Sequence, residues 1–341
     1  MLKNNWQRTS RSAKNAVVLI IFLLVAFGSG SCLPGGYSGP MESLTLGTVL
    51  LEPSGLIFVA ENQHLFTENG LNVTIQYYET GLSAANAMLT GETEMAGPVT
   101  EFVLVGKAFN EEKIQTVGSI DKVDYASIVA RKDNGIEAAS DLAGKRIGVA
   151  RGTMLEFRLG RFLELHGMKI SDIVLVDTAL GKSAEAIASG ELDAVLTVPP
   201  YTEAVKAKLG DTVVLWPAQG GQLSYQLIVA KTEWIEQHPQ LIERFLNAIS
   251  QAEEYVIQNP QEARRIVQQR MNLTENDIAR IWSQNQFSLS LDQSLIVAME
   301  DEARWMIANN LTAETQVPNF LDDIYVDGLD AVKPEAVNII R

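Results

Sequence analysis

The feature that most constrains this chain is an alternation of short apolar runs with amphipathic stretches, repeated from Leu44 to Thr197. Leu44 to Leu50 alternates as a strand does and stops at Glu52-Pro53-Ser54. Gly55 to Asn69 then has helical spacing, with Ile57, Val59, Ala60 and Leu65 on one side and Gly70 placed to end the helix. Asn72 to Tyr78 reads as the next strand, and Gly81 to Leu89 as a helix closed near Gly91. Glu94 to Ala96 makes a short strand, Gly97 to Thr100 opens another helix, and Ile114 to Ile120 is a further strand. This order predicts a mostly parallel sheet with helices on both faces. A second unit repeats it: strand Arg146 to Ala150, a helix opened by Gly152-Thr153 and running to His166, strand Ile173 to Val176, helix Ser183 to Ser189 and strand Leu192 to Thr197.

After Lys231 the character changes. Thr232 to Gln258, Gln261 to Met271, Glu275 to Gln284 and Asp292 to Asn309 carry apolar residues at helical spacing. Thr232 and Thr274 stand where N-caps belong, and Asn259-Pro260 breaks the run. The 341 residues suffice for one or two lobes with sizeable cores.

The first 31 residues are set apart. Lys3, Arg8, Arg11 and Lys14 precede an apolar run from Ala16 to Phe27, and no acid occurs before Glu42. A basic start, a run too short for a comfortable membrane span and the small residues Gly28 to Ser31 read as a secretory signal peptide over 1–31. Cys32 follows at once and resembles the cysteine of a bacterial lipobox, with Ser29 where leucine is usual. That resemblance implies cleavage before Cys32 and lipidation of its thiol. The alternative is an ordinary signal peptide with an incidental cysteine. Residues 32–41, rich in Gly, Pro and Ser, then form a lipid-anchored tether. Cys32 is the sole cysteine, which argues against a disulfide framework.

Forty-two acids face 27 lysines and arginines, a net charge of −15. This disfavours nucleic acid and anionic lipid surfaces as partners. His64, His166 and His238 are widely separated and no HExxH or CxxC occurs, so no metal site is expected. No catalytic motif or dinucleotide fingerprint appears, and no cofactor is expected.

What recurs is a strand that ends in a Gly/Ser/Thr/Pro turn and feeds a helix N-terminus. In open α/β sheets such turns line the crevice at the carboxyl ends of strands. Their free N–H groups make anion cradles. The ligand-binding candidates on these turns are Glu52, Ser54, Thr80, Gly81, Ser83, Pro98, Thr100, Gly152 and Thr153. Ser54 and Ser83 serve equally well as simple N-caps. Thr153 and Glu156 form a T-x-x-E capping box, which by itself accounts for Glu156, a further candidate. Glu52 and Glu101 read either as solvated loop acids or as acceptors from ligand N–H or O–H groups. Pro199, Tyr201 and Tyr225 complete the candidates, with a core role open for Tyr225. Trp234, Trp282 and Trp305 are expected in the core, and Lys145 and Arg146 in solvent. Arg151 is the one basic residue on the turns. A strongly charged anion usually has an arginine partner, so the pattern favours a small organic molecule of amphoteric polarity.

The run Asp141-Leu142-Ala143-Gly144-Lys145-Arg146-Ile147-Gly148-Val149, followed by Gly152-Thr153 and by Glu156-Phe157, resembles the solute-binding proteins of nitrate/sulfonate/taurine-type ABC importers. So do Gly190-Glu191-Leu192-Asp193-Ala194-Val195 with Pro199-Pro200-Tyr201, and Gln237 to Ile242 with Asn259-Pro260-Gln261-Glu262-Ala263. Val198 departs from the tryptophan that relatives often carry there. The resemblance implies an α/β, two-lobed periplasmic-binding-protein-like fold of type II, with mixed sheets flanked by helices and a helical C-terminal tail. Lobe 1 is expected from 42–127 and 227–341, and lobe 2 from 128–226. Tyr125 to Lys132 and Tyr225 to Lys231 are then the crossing strands.

The function so implied is extracytoplasmic capture of a small organic solute (sulfonate, taurine-like or aminopyrimidine-like) in the cleft, with delivery to a permease and its ATPase. Catalysis is not expected. The chain is expected to act as a monomer held to the membrane through Cys32. Two alternatives stand: a ligand-sensing lipoprotein that hands solute to a receptor, and a thiamine-pyrimidine-synthesis enzyme on the same fold. That enzyme uses a cysteine-rich motif, which this chain lacks after Cys32.

Overall fold

The computed structural model describes residues 37–218 and 222–340. The segment expected as a signal peptide, and Cys32, therefore lie outside the described residues. Among the described residues, no helix is long and apolar enough to cross a membrane.

Among the described residues, ten strands build two five-stranded mixed sheets. The first holds β1 (Glu42–Val49), β2 (Leu71–Tyr78), β3 (Met95–Thr100), β4 (Ile114–Val123) and β10 (Ser224–Lys231), in the order β2-β1-β3-β10-β4. β1 runs parallel to β2 and β3, while β10 is antiparallel to both β3 and β4. The second holds β5 (Ser127–Arg131), β6 (Arg146–Val149), β7 (Val174–Asp177), β8 (Ala194–Thr197) and β9 (Val213–Pro217), in the order β7-β6-β8-β5-β9. Here β6 is parallel to β7 and β8, and β5 is antiparallel to β8 and β9. In each sheet four strands therefore point the same way and one inserted strand, β10 or β5, runs against them, so the mostly parallel order expected from the sequence is interrupted by a single reversed strand.

β5 and β10, expected as crossing strands, each belong to one sheet. The chain passes between sheets in residues 124–126 and again between Pro217 and Ser224. Both strands are apolar because both are interior to their sheets: Ile128, Val129 and Ala130 are buried, as are Leu227 to Ala230.

Helix breaks differ from expectation where local chemistry intervenes. The first helix ends at Asn62, because His64 takes a left-handed φ of 60°, and resumes over Leu65–Glu68. The run from Thr232 splits into Thr232–Gln237 and Pro239–Gln258, since Pro239 lacks the N–H needed to continue a helix. Lys231, not Thr232, precedes the first of these. Thr274 does cap its helix, accepting from the Asp277 amide. Gly97 to Thr100 belongs to β3, and the helix starts only at Glu101.

The main core lies around the first sheet and the C-terminal helices. It also takes in Met154 and Phe157 from the helix Met154–Leu165 that follows β6. Phe157 stacks on Phe102 at 5.9 Å and meets Trp305 edge-on at 5.4 Å. Gly160 permits this approach, for a Cβ there would lie 2.1 Å from Trp305 Cζ2. Trp305 is buried, and Trp234 and Trp282 pack partly buried on the same core. Lys145 and Arg146 are not simply solvated. Lys145 Nζ donates to the Asn134 carbonyl at 2.8 Å, and Arg146 holds Asp193 through Nε and Nη2 at 3.1 and 3.0 Å.

Candidate functional site

Between the two sheets lies a cavity of about 670 Å³, measured with its mouth. The first sheet and its turns contribute Val49, Leu51, Pro53, Glu79, Thr80, Gly81, Leu82, Pro98, Thr100, Val103, Ser224 and Gln226. The other side contributes Ala150, Thr153, Met154, Leu155, Leu180 and Val198, and the passage between sheets contributes Tyr125 and Ala126. Strand ends and helix starts therefore converge here, as open α/β sheets dictate.

The local chemistry is legible. Thr80 caps the helix Gly81–Thr90, its Oγ1 accepting from the Ser83 amide at 3.1 Å while Ser83 Oγ accepts from the Thr80 amide at 3.1 Å. Gly81 lets that helix start against β3, because a Cβ there would lie 2.6 Å from the Pro98 carbonyl oxygen. Thr153 accepts from the Leu155 amide at 3.2 Å and donates to the Ala150 carbonyl at 2.6 Å. The Gly181 amide, after β7, donates to Glu79 Oε1 at 2.9 Å and ties the two sides of the cavity together. The Gly97-Pro98 and Pro199-Pro200 peptide bonds are cis.

Of the sequence candidates, Thr80, Gly81, Pro98, Thr100 and Thr153 line this cavity. Glu52 is buried behind its neighbours Leu51 and Pro53. Ser54 is spent on the Val49 carbonyl at 2.7 Å, and Ser83 on the cap of its own helix. Gly152 and Glu156 line a wider neighbouring cavity with Lys107, Met306 and Glu314, which shares Leu82 and Val103 with the first. The expected capping box does not form. Glu156 instead accepts from the Gly152 amide at 2.7 Å and pairs with Arg151 at 3.0 Å. Pro199 and Tyr201 sit beyond the lining, where Val198 takes the wall position. Tyr225 points away, its hydroxyl donating to Ser294 Oγ at 2.7 Å.

Sequence reading missed Gln226, Ser224, Tyr125, Glu79 and Arg158. Gln226 carried a signal: it is the one amide side chain of β10 and directly precedes the apolar run Leu227 to Ala230. Arg158 carried another, sitting among the apolar residues of Met154–Leu165. It is 2% exposed, and its Nη2 donates to Ser224 Oγ at 3.0 Å, directly behind the cavity wall.

The buried carboxyls that act on that guanidinium are Glu101 and Glu302, with Asp124 beside them, while Glu52 and Asp121 are two further buried carboxyls, the first acting on the second. Burial disfavours charge and pushes Glu52 up to about 8. It pushes Glu101 to about 7, against the opposing pull of Arg158 and of the Tyr225 amide. Burial likewise raises Asp121 and Glu302 well above the carboxylate range, the like charge of Glu52 adding to the first and that of Glu101 to the second. Tyr125, on the cavity wall, is raised by burial and then by the negative charge of Glu52, Asp121 and Glu101, against the pull of Arg158. The histidines do not join the site: His166 and His238 bond to the carbonyls of Phe162 and Trp234 on their own helices. Among the described residues no cluster of three metal-ligating side chains occurs.

This architecture has known counterparts. The alkanesulfonate-binding protein SsuA from Xanthomonas axonopodis pv. citri, solved bound to MOPS, superposes with a TM-score of 0.73 at 16% identity, over 85% of this chain and 100% of that one. The desulfurization enzyme DSZB superposes at 0.60 with 16% identity, over 86% and 99%. In sequence, the chain is 20% identical over 242 residues to an aliphatic sulfonates-binding protein of Bacillus subtilis (70% of this chain, 73% of that protein), and 24% identical over 211 residues to a binding protein of Brucella abortus (60% and 64%), both names being provisional. It thus spans about 64% of the length of the Brucella relative. A 4-amino-5-hydroxymethyl-2-methylpyrimidine phosphate synthase of Aspergillus parasiticus is 22% identical over 218 residues, 61% of this chain and 64% of that one. The fold is that of periplasmic binding proteins. The model of the family described as NMT1/THI5 like matches residues 54–263, more than half of the sequence, and the chain belongs to that family.

Proposed function

We propose that this chain is the extracytoplasmic solute-binding protein of an ABC importer, capturing a small organic solute between its two sheets and delivering it to a permease. The observation that carries this is the cavity, lined from both sheets at the ends of their strands. The aliphatic sulfonates-binding relative and the SsuA fold support it. Hinge closure over ligand, with a population shift toward the closed form, is the mechanism such a geometry serves. Residues 42–127 with 227–341 and residues 128–226 are proposed as the moving lobes. Acylation of Cys32 would hold the monomeric protein near its permease.

An enzyme on the same fold is the second reading, favoured by the synthase and desulfurase likenesses. Against it, the lone cysteine precedes the family match and no histidine lines the cavity. A thermal-shift screen of the full chain with taurine, alkanesulfonates, nitrate, dicarboxylates, aminopyrimidines and flavins separates the readings. A ligand at 100 times its dissociation constant adds about 2.7 kcal/mol. The expected result is a stabilising ligand recovered chemically unchanged; a ligand converted to product supports the enzyme instead. A sensory role would appear as binding without any dependence of solute uptake on the protein.

A further inference from the structure

Resting on the solute-binding reading, we propose that the cavity opens on one side only: the helix Met154–Leu165 stays seated on the core of the first sheet as a fulcrum, and the opposite side of the second sheet swings away when Glu79 parts from Gly181 and Arg280 from Glu203.

The helix Met154–Leu165 carries two apolar faces. Leu155, Leu159, Phe162 and Leu163 recur at helical spacing and belong to the core of the second sheet. Met154 and Phe157 lie on another face and belong to the core of the first. Polar groups reinforce the contact with the first sheet. Arg158 Nη2 donates to Ser224 Oγ at 3.0 Å, and Glu164 Oε1 accepts from Trp305 Nε1 at 3.0 Å. Phe157 is fully buried and Arg158 is 2% exposed. Lifting this helix off the first sheet would uncover an aromatic ring and break a buried hydrogen bond at once. Ser224 also begins β10, where the chain returns to the first sheet, so the fulcrum adjoins one of the two passages between sheets.

The reverse face of the second sheet is held differently. Side chains alternate along β5: Ile128 and Ala130 share a core with Leu155 and Leu159, while Val129 packs with Ile187, Val195 and Val205. The helices Ser183–Ala188 and Tyr201–Leu209 supply Ile187 and Val205 and so cover that reverse face. Their contacts with the body of the first sheet are polar and near solvent. The Gly181 amide, two residues ahead of the first of these helices, donates to the exposed Glu79 at 2.9 Å. Arg280 Nη1 donates to Glu203 Oε1 at 2.7 Å from a side chain 42% exposed. Exposed pairs contribute little to stability, so this side yields first. Glu79 and Leu180 line the cavity, and parting them opens it directly to solvent.

The test uses the full chain carrying Cys32→Ser, so that only introduced cysteines take a nitroxide label. Distances are read by double electron–electron resonance with no ligand added. Ser283→Cys with Ala207→Cys spans the gate, and Leu165→Cys with Ala308→Cys spans the fulcrum; all four positions are exposed. The expected result is two distances across the gate and one across the fulcrum. Arg280→Ala and Glu79→Ala should each raise the long-distance population at the gate by up to about fivefold, with the fulcrum distance unmoved. Hydrogen exchange of the unlabelled chain gives a second reading: in Arg280→Ala the Gly181 amide should exchange faster, and the amides of Met154–Leu165 should not. A fulcrum distance that lengthens with the gate overturns the inference, since the lobes then part along the whole cleft. A single gate distance, unchanged in every variant, overturns it too. Either failure leaves the solute-binding reading to the thermal-shift panel, which decides it independently of these distances.

Discussion

Phe157 meets Trp305 edge to face, with ring centroids 5.4 Å apart and planes at 86°. The helix that starts at the cavity thereby reaches the core of the first sheet, and Gly160, one turn on, lies flat against the same indole. Gly160→Ala would place its Cβ 2.1 Å from Trp305 Cζ2. Overpacking of this kind costs about 1–3 kcal/mol. A lowered urea midpoint with an unchanged slope is expected. An unchanged midpoint would mean that this helix is not seated on Trp305.

Arg158 should matter for stability out of proportion to its exposure. It is the buried counter-charge of Glu101 and Glu302. Arg158→Met removes the buried hydrogen bond that Arg158 gives Ser224 Oγ and the cation that pulls Glu101 and Glu302 down, a change that costs about 1–3 kcal/mol. Adding Glu101→Gln and Glu302→Gln should recover most of the loss. Failure of that rescue would assign Arg158 a packing role alone.

Stability should fall as pH rises. Glu52 and Glu101 are pushed from 4.5 to about 8 and about 7 in the folded state. The native protein therefore holds protons that the unfolded chain has released, and stability drops between about pH 4.5 and 8, then levels. Each titrating group adds a slope approaching about 1.4 kcal/mol per pH unit. Chemical denaturation from pH 5 to 9 measures this, and Glu52→Gln should flatten the upper part of the decline. A stability that rises through this window would contradict it.

Cys32→Ala should release the protein from membranes and abolish incorporation of labelled fatty acid. Fractionation of expressing cells reads both. Retention of the variant in the membrane pellet would remove the lipid anchor from the account.

The strand order along the chain and the two-unit repeat were legible because alternation and helical spacing are local signals. Thr80, Gly81, Pro98, Thr100 and Thr153 could be found because strand-end turns carry their own residue chemistry. The pairing of Gln226 with Thr100 could not, since it exists only where β10 inserts between β3 and β4, more than a hundred residues away in sequence. Glu156 was misread for a related reason. Glu156 stands three residues from Thr153 and five from Arg151, and the fold turns its carboxylate back to the Gly152 amide and Arg151 rather than to the Thr153 amide. His64 and Pro239 broke helices that periodicity alone made continuous.

The central claim, that solute is held between the two sheets, is tested most directly by filling the space. Ala150 is 7% exposed and lines the cavity wall. Ala150→Trp should abolish calorimetric binding of whichever ligand the screen returns, while circular dichroism still reports the folded state. Undiminished one-to-one binding by that folded variant would place the ligand elsewhere and contradict the account.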